Sequence, residues 1–342
     1  MDNKIEVKVE INAIVLCADE SVSKINWGHG YQVVKTKIED FPGIDRIKDG
    51  RGNISTDYCL SRIIERVNEN IVTSFYCLKK EDVFYVPSPE VCAREVYSNV
   101  DLERTPYLEE YKDNEFDYLN QIISLLQVYK SGNIGLKEIF FDFSYCLMGF
   151  LNNTFSATID IKDANTVKND WYVLSDTEVA AWEQFKNIHI HTGLQVMKDI
   201  VDVFTFGLKQ IDSATAFEKY TTALEMIFLG KNQQGKKEVL SKRVAALLGQ
   251  NDVEIVIIYG NMKNYYRYRS ESLHEGDASN ITDVELEALS EITRRSICKL
   301  FNICNKRLAI NNRITWSEIK TDLINSLKAQ VDVLNCRGVF ST

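Results

Sequence analysis

Apolar and polar residues alternate at the start of the chain. From Lys4 to Cys17, apolar residues at positions 5, 7, 9 and 11 are separated by charged or amide residues at 6, 8, 10 and 12. This period of two is typical of a strand with one buried face. Stretches rich in aromatic and β-branched residues predict further strands at 31–38, 71–78, 83–86, 136–146 and 154–161. Helices are predicted at 58–67 and, from apolar residues three and four apart, at 115–129.

The apolar spacing becomes helical throughout the second half. Three capping boxes mark helix starts, each with Ser or Thr three residues before Glu: Ser175 with Glu178, Thr282 with Glu285, and Thr315 with Glu318. Helices are predicted at 175–187, 193–211, 214–229, 237–248, from about 252 into the 260s, at 282–308 and at 315–334. The fold class expected is α+β, with a strand-rich mixed domain at 1–174 followed by an all-α helical bundle at 175–342.

The distribution of charge separates the two halves. The chain of 342 residues has a net charge of −9, and all of it lies in residues 1–174. In the neutral second half, residues 231–270 hold 8 basic and 3 acidic residues, and residues 294–313 hold 6 basic and no acidic ones. Such local basic surfaces are compatible with a phosphate-bearing partner, although charged helix faces are more often simply solvated.

Composition narrows the class of protein further. The sequence contains no run of 18 apolar residues, so no membrane span is predicted. The N-terminus lacks the layout of a signal peptide. The 8 cysteines are scattered singly, without a CxxC pair, so neither a zinc site nor a disulfide framework is expected. We expect a cytoplasmic protein with no membrane partner, no metal and no cofactor.

Histidine is rare, and only one of the 4 histidines has a chemical partner close in sequence. His29 lies between two glycines and is interpreted as a loop residue. His189 and His191 lie two apart but lack a nearby third ligand, so a linker or core role is favoured over a metal site. His274 differs because Arg269 precedes it by five residues in the segment Tyr265–Gly276, called the Arg–His segment below.

The Arg–His segment combines a fixed cation with a group that titrates near neutrality. Cleavage of RNA without a metal needs both, because the 2′-OH must lose a proton and the phosphorane must be stabilised. On an ideal helix Arg269 shares the face of Met262, Tyr266 and Leu273, so it should meet a partner, a ligand or an interface. His274 lies about 140° further around that helix. The two can converge only if the helix ends near residue 272, or if a second copy of the chain completes the site.

A structural interpretation competes with this one. Arg269 could form an ion pair in the core, and His274 could cap the C-terminus of the helix, where a cation is favoured. The sequence spacing of one Arg and one His does not decide between the two.

Three stretches of the second half resemble the HEPN superfamily and, within it, the Apea-like group. They are Phe217–Phe228 with its Leu224-Glu225 pair, Leu240-Ser241-Lys242-Arg243 followed by Ala246-Leu247-Leu248, and Tyr266–His274, which matches the Arg-x(4–6)-His signature of that family. The resemblance covers residues 217–300. Two residues depart from the family pattern: Ser270 stands where Asn, Asp or His often follows the Arg, and Glu275 separates His274 from Gly276. These departures leave open the alternative that the chain resembles a member of the family that does not cleave RNA.

The resemblance implies an all-α bundle that forms a homodimer, with two Arg–His motifs lining one cleft. It implies a metal-independent endoribonuclease that acts as a toxin or as an antiphage or abortive-infection effector. Arg269 and His274 are the expected catalytic residues, and the expected RNA contacts are Ser270, Arg267, Tyr265, Tyr268 and Lys263. The alternative is a non-catalytic scaffold that mediates dimerisation or nucleic-acid binding. Residues 1–174 would respond to an unidentified trigger ligand or protein.

Overall fold

The computed structural model describes residues 4–37, 40–41, 74–87, 106–147, 151–160, 171–186, 195–230 and 232–340. The first half contains one antiparallel sheet and one long helix among these residues. Its elements are β1 (Lys4–Leu16), β2 (Gln32–Lys37), β3 (Ser74–Pro87), α1 (Pro106–Tyr129), β4 (Gly135–Leu147) and β5 (Leu151–Asp160), with a short 3-10 helix at Glu20–Ser23. The predicted helix at 58–67 lies outside the described residues.

The sheet has the strand order β2-β3-β1-β4-β5, and every neighbouring pair is antiparallel. The predicted alternation along β1 is confirmed, because Ile5, Val7, Val9 and Ile11 are buried while the residues between them up to Glu10 are exposed. Val9 pairs with Asp82 on one side and with Phe143 on the other, so these side chains share a face. That face carries the contacts to α1.

Two predicted strands are one in the structure. The sequence analysis predicted separate strands at 71–78 and 83–86, with the charged residues from Lys79 to Asp82 between them. β3 instead continues without interruption from Ser74 to Pro87. The charged run stays in the sheet because Lys80 and Asp82 point to the face covered by α1, where each finds a partner of opposite charge or a hydroxyl.

A network of buried polar side chains joins the sheet to α1. The Nζ of Lys80 lies 2.7 Å from Glu115 and 2.8 Å from Asp82, and its side chain is 7% exposed. Tyr31 donates to Glu115 at 2.6 Å, and Tyr111 donates to Asp82 at 2.9 Å. Burial, followed by these carboxylates, raises the pKa of both tyrosines. Because every charge meets an opposite charge and a hydroxyl, burial is tolerated. We call these five residues the Lys80 network.

The opposite face of the sheet is apolar at one end. The buried residues of that cluster are Ile14, Leu16, Cys17, Phe41, Phe75, Cys77 and Phe140. Phe41 packs edge-on against the rings of Phe75 and Phe140. At the other end the same face carries charged and hydroxyl side chains that line an open hollow of about 820 Å³.

All the described elements after residue 175 are helices, as the capping boxes predict. They are α2 (Asp176–Lys186), α3 (Gln195–Leu208), α4 (Ser213–Phe228), α5 (Lys236–Leu248), α6 (Asp252–Glu275), α7 (Asp283–Ile310) and α8 (Trp316–Cys336). The order of an antiparallel sheet followed by helices confirms the α+β class. α4 contacts α3, α5, α6 and α7, so it lies at the centre of the helical half.

Two of the three predicted capping boxes are complete. Ser175 and Glu178 exchange bonds with one another's backbone N–H, and so do Thr315 and Glu318. At the third, Thr282 caps the N–H of Glu285, but the carboxylate of Glu285 bonds with the hydroxyl of Tyr265 instead of returning to the cap. A tertiary contact therefore replaces half of a local motif.

The chain divides into two compact units. The first comprises Met1–Ile123 and Gly132–Ala180, and the second comprises Ser124–Ser131 and Ala181–Thr342. The sequence analysis predicted one boundary, after residue 174. In the structure the end of α1, from Ser124, also belongs to the second unit. There Tyr129 packs against Trp182 and Phe185, and Phe185 stacks on Phe301.

Candidate functional site

Helix α6 carries the Arg–His segment and is fixed at both ends. Asn251 accepts a hydrogen bond from the N–H of Glu254 at the start. Gly276 ends the helix with a φ of 70° and donates to the carbonyl of Glu271. A left-handed residue at this position favours glycine, because a side chain would crowd the backbone. The helix is therefore continuous through both Arg269 and His274.

The buried stripe of α6 differs from the one predicted. The sequence analysis placed Met262, Tyr266, Arg269 and Leu273 on one apolar face. The structure buries Ile255, Ile258, Tyr259, Met262 and Tyr265, while Leu273 is 50% exposed. The exposure of residues 270 and 272–275, none of which is buried, shows that the end of α6 is largely open to solvent. Arg269 consequently lies at the edge of the core.

The guanidinium of Arg269 pairs with Glu225 of α4. The distance from Nη1 to Oε1 is 3.2 Å, and each side chain is 19% exposed. Glu225 interrupts a run of buried apolar residues on α4, so both partners are charges on otherwise apolar surfaces. Glu225 is the partner that the position of Arg269 requires. The pair agrees with the interpretation in which Arg269 forms an ion pair within the fold.

Tyr266 is the second side chain that contacts the guanidinium of Arg269. The guanidinium carbon of Arg269 lies 5.8 Å from the centroid of the Tyr266 ring. Burial, followed by the charge of Glu225, raises the pKa of the Tyr266 hydroxyl, and Arg269 partly opposes that rise. The Nε of Arg269 is buried and has no hydrogen-bond partner among the described residues. A buried donor without an acceptor is unfavourable by about 1–3 kcal/mol.

His274 lies in the last turn of α6 and is exposed. It forms no hydrogen bond or ion pair with the part of the chain that the structure describes. Because the helix runs on to Glu275, His274 is about 7.5 Å along the axis and about 140° around it from Arg269. One of the two conditions for convergence, a helix ending near residue 272, is not met. The two side chains of one chain diverge.

Tyr265 belongs to the core, which corrects its expected contact with RNA. Its side chain is 2% exposed, its ring packs edge-on against Phe217 at 5.8 Å, and its hydroxyl bonds with Glu285. A base cannot stack on a ring buried to this degree. Tyr266, which the sequence analysis favoured for the core, is instead half-buried at the Arg269 site.

Arg267 and Tyr268 lie together on the outer side of α6. Arg267 is 52% exposed at its side chain, and its Nε lies 3.6 Å from Glu271 one turn on. Its guanidinium carbon is 5.2 Å from the centroid of the Tyr268 ring. Ser270 is exposed and has no hydrogen-bond partner among the described residues. These three side chains are accessible to a ligand.

Lys263 belongs to a different cluster. Its Nζ lies 3.4 Å from the hydroxyl of Tyr259, which donates to Glu238 at 2.7 Å. Burial, followed by Glu238, raises the pKa of Tyr259 to about 12. Lys263 is six residues before Arg269 and about 120° around the helix from it, on the same side as His274, from which it differs by only about 20°. The structure therefore does not bring Lys263 and Arg269 together.

Glu225 is the site residue to which the sequence analysis gave no role. A signal for Glu225 exists, because a carboxylate amid Ala223, Leu224, Ile227 and Phe228 must meet a cation or a donor. The sequence does not reveal which cation, since Arg269 is 44 positions away.

Metal ligands are not grouped in the described part of the chain. No set of three His, Cys, Asp or Glu side chains is placed there to hold a metal ion. His29 stacks on Tyr118 with ring centroids 3.7 Å apart, in a loop as expected. His189 and His191 lie outside the described residues.

Comparisons with known proteins return no match: no family model, no curated protein and no solved structure matches the chain. Within the described residues, no helix is both long and apolar enough to cross a membrane.

Proposed function

We propose that the protein is a metal-independent endoribonuclease of the HEPN type that cleaves RNA as a homodimer. The observation that carries the proposal is the state of Arg269. Its guanidinium has one nitrogen on Glu225 and a buried Nε without a partner, and it lies at the edge of the core on a rigid helix. A phosphate would accept from the exposed edge of the guanidinium, and a shift of the side chain would bring the unpaired Nε to the same acceptor.

Arginine suits that task better than lysine. The guanidinium presents its donors in a planar fork that matches two oxygens of a phosphate. Tyr266 and Glu225 hold the fork in one orientation before the ligand arrives. Donors that are already oriented stabilise a developing charge more effectively than donors that must reorganise.

The chemistry uses the ribose itself as the nucleophile. The 2′-oxygen attacks the adjacent phosphorus while a base removes the 2′-proton, and the bond to the 5′-oxygen breaks as an acid protonates it. His274 is the residue proposed for one or both proton transfers, since imidazole titrates near neutral pH. Arg269 stabilises the charge on the phosphorane oxygens. The products are a 2′,3′-cyclic phosphate and a free 5′-hydroxyl.

A second copy of the chain completes the proposed site. Arg269 and His274 of one chain point about 140° apart on a helix that does not end between them. We therefore assign each cleft the Arg269 of one protomer and the His274 of its partner. Ser270, Arg267 and Tyr268 are exposed or half-exposed near the same end of α6 and are the proposed RNA contacts.

A wider role follows from the resemblance to Apea-like HEPN proteins. The proposed biological function is that of a cytoplasmic toxin, antiphage or abortive-infection effector that cleaves single-stranded or tRNA-like RNA. The first unit, with its sheet and the Lys80 network, is proposed to respond to a trigger ligand or protein.

A non-catalytic scaffold is the second candidate. The ion pair between Arg269 and Glu225 favours it, because the cation already has a partner without any ligand. Glu275 beside His274 adds a negative charge where RNA would approach. In this interpretation the Arg–His segment mediates dimerisation or binds nucleic acid without cleaving it.

The decisive assay incubates the purified chain with total RNA in EDTA, beside His274→Ala. The proposal expects cleavage that survives chelation and leaves 2′,3′-cyclic phosphate ends, and expects the variant to be inactive. Cleavage that requires added Mg²⁺ and leaves 5′-phosphates, or no cleavage by the parent, contradicts it. Sedimentation should show a dimer at micromolar concentration; a fully active monomer contradicts the shared cleft.

A further inference from the structure

The second half of α7 carries basic residues without acidic neighbours. Residues 294–313 include 6 basic and no acidic residues. Three of the six are engaged within the unit: Arg294 pairs with Glu291, Arg295 with Glu254, and Arg307 with Asp322. The others are Lys299, Lys306 and Arg313. All three are exposed, and none forms an ion pair with a described residue.

Two of these three cations are aligned on α7, and the third lies just beyond its end. Lys299 and Lys306 are seven residues apart, so they lie within about 20° on one side of α7 and about 10.5 Å apart along its axis. Exposed Asn302 lies between them, and Arg313 follows seven residues later in the turn after the helix. We call Lys299, Lys306 and Arg313 the α7 ridge.

The helix dipole does not account for the ridge. Cations are favoured at a helix C-terminus, but the effect fades beyond the last turn. Lys299 is three turns before Ile310, the end of α7, and Arg313 lies beyond that end. Exposed lysines also commonly gain support from a carboxylate one turn away, and none is present here. Neither the helix dipole nor a neighbouring carboxylate therefore explains all three residues of the α7 ridge.

We infer that the α7 ridge is a second contact surface for RNA, which binds the phosphate backbone away from the cleavage site. The inference rests on the proposed ribonuclease function and specifies its substrate as a long or structured RNA. Two cations two turns apart on one helix face, with an exposed amide between them and a third cation beyond the helix end, are spaced for successive phosphates of a polyanion.

The distance along α7 sets the size of that substrate. Tyr265 of α6 bonds with Glu285, so the start of α7 lies beside the Arg–His segment. From Glu285, Lys299 is about 21 Å and Lys306 about 32 Å along the helix axis. A dinucleotide at Arg269 cannot span this distance. The ridge should therefore affect long RNA and leave the shortest substrates unchanged.

The test compares the parent with the triple variant Lys299→Gln, Lys306→Gln, Arg313→Gln. A matched control, Lys4→Gln, Lys35→Gln, Lys328→Gln, removes the same charge from exposed positions outside the basic stretches 231–270 and 294–313. Binding of a fluorescent 30-nucleotide RNA is followed by anisotropy in EDTA, in a His274→Ala background so that the RNA stays intact. Losing three phosphate contacts should weaken binding on the order of 100-fold at 0.1 M salt and reduce the salt slope by about 2.

Cleavage provides the second readout. With the His274 background restored, the ridge variant should show a higher KM for the long RNA, an unchanged kcat, and unchanged turnover of a dinucleotide. Equal loss of affinity in the ridge and control variants, unchanged binding in the ridge variant, or no RNA binding by the parent would overturn the inference. If RNA is bound through the ridge but never cleaved by the parent, the proposed function fails while the contact surface stands.

Discussion

Two regions of the molecule place a cation against carboxylates and tyrosines, and they differ in how completely that cation is paired. In the Lys80 network, Lys80 is 7% exposed and meets two carboxylates, each of which also accepts from a tyrosine hydroxyl. At the second region Arg269 is 19% exposed, meets one carboxylate, and keeps a buried Nε without a partner.

The difference separates a structural cluster from a candidate binding site. A closed network in which all charges are paired has no unsatisfied donor for a ligand, and removing Lys80 leaves the buried carboxylate of Glu115 without its cation. A pair that is partly exposed and keeps an unsatisfied donor gives an acceptor partial access and a reason to bind. Charge alone did not distinguish the two in the sequence. Pairing and exposure distinguish them in the structure.

The largest effect on stability should come from Lys80→Met. The substitution leaves Glu115 and Asp82 without their cation, and Glu115 is 9% exposed at its side chain. We expect the first unit to lose about 3–5 kcal/mol of unfolding free energy. Urea denaturation followed by tryptophan fluorescence measures the change. A loss under 1 kcal/mol would show that the network is not a structural requirement.

Arg269→Lys should give the opposite pattern, with a large loss of activity and a small loss of stability. Lysine keeps the charge near Glu225 but lacks the planar fork. Cleavage in EDTA should fall by roughly 10²–10³-fold, as on loss of a transition-state donor. The free energy of unfolding should change by about 1 kcal/mol or less. The scaffold interpretation instead expects weaker dimerisation or stability and no activity to lose.

The acid sensitivity of the Lys80 network should be traceable to Asp82. Burial opposes ionisation of Asp82, but hydrogen bonds from Lys80, Tyr111 and the N–H of Val83 outweigh it, so the pKa of the carboxyl lies below its ordinary value. Its contribution to stability is therefore complete above the unfolded pKa near 3.9 and is lost as pH falls through the folded pKa. Melting temperatures of the parent and Asp82→Asn should differ at pH 7 and converge towards pH 3. A constant difference would contradict this assignment.

The smallest effect should follow Glu225→Gln. The amide keeps an oxygen for Arg269 but removes the negative charge that competes with phosphate. In a His274→Ala background, RNA should bind up to about fivefold more tightly, equivalent to about 1 kcal/mol. Weaker binding in the anisotropy assay would indicate that Glu225 mainly positions the guanidinium.

Local patterns predicted much of the fold, and long-range pairing explains what they missed. The helix starts at Asp176 and Trp316 follow from complete capping boxes, and the alternation along β1 follows from one buried face. β3 was predicted as two strands on either side of a charged run, whereas Glu115, 35 positions from Lys80, pairs with it and keeps the run in the sheet.

The contacts around Arg269 show the same limit of local patterns. The position of Arg269 on a helix required a partner, but Glu225 on α4 supplies it through a contact that no local spacing reveals. Tyr265 and Tyr266 exchanged their expected places because α6 is rotated relative to the predicted apolar stripe. A helical periodicity fixes neighbours along one helix, and the rotation depends on the helices packed against it.

The central claim is that Arg269 of one chain and His274 of another form one RNA-cleaving site. Arg269→Lys and His274→Ala, each purified and inactive alone, are mixed so that subunits exchange, and RNA cleavage is measured in EDTA. In a mixed dimer one of the two clefts carries both natural residues, so the account predicts that activity returns on mixing. Each chain acting alone would keep one substituted residue in every site. A mixture that exchanges subunits and remains inactive, while the parent cleaves RNA, would contradict the shared site.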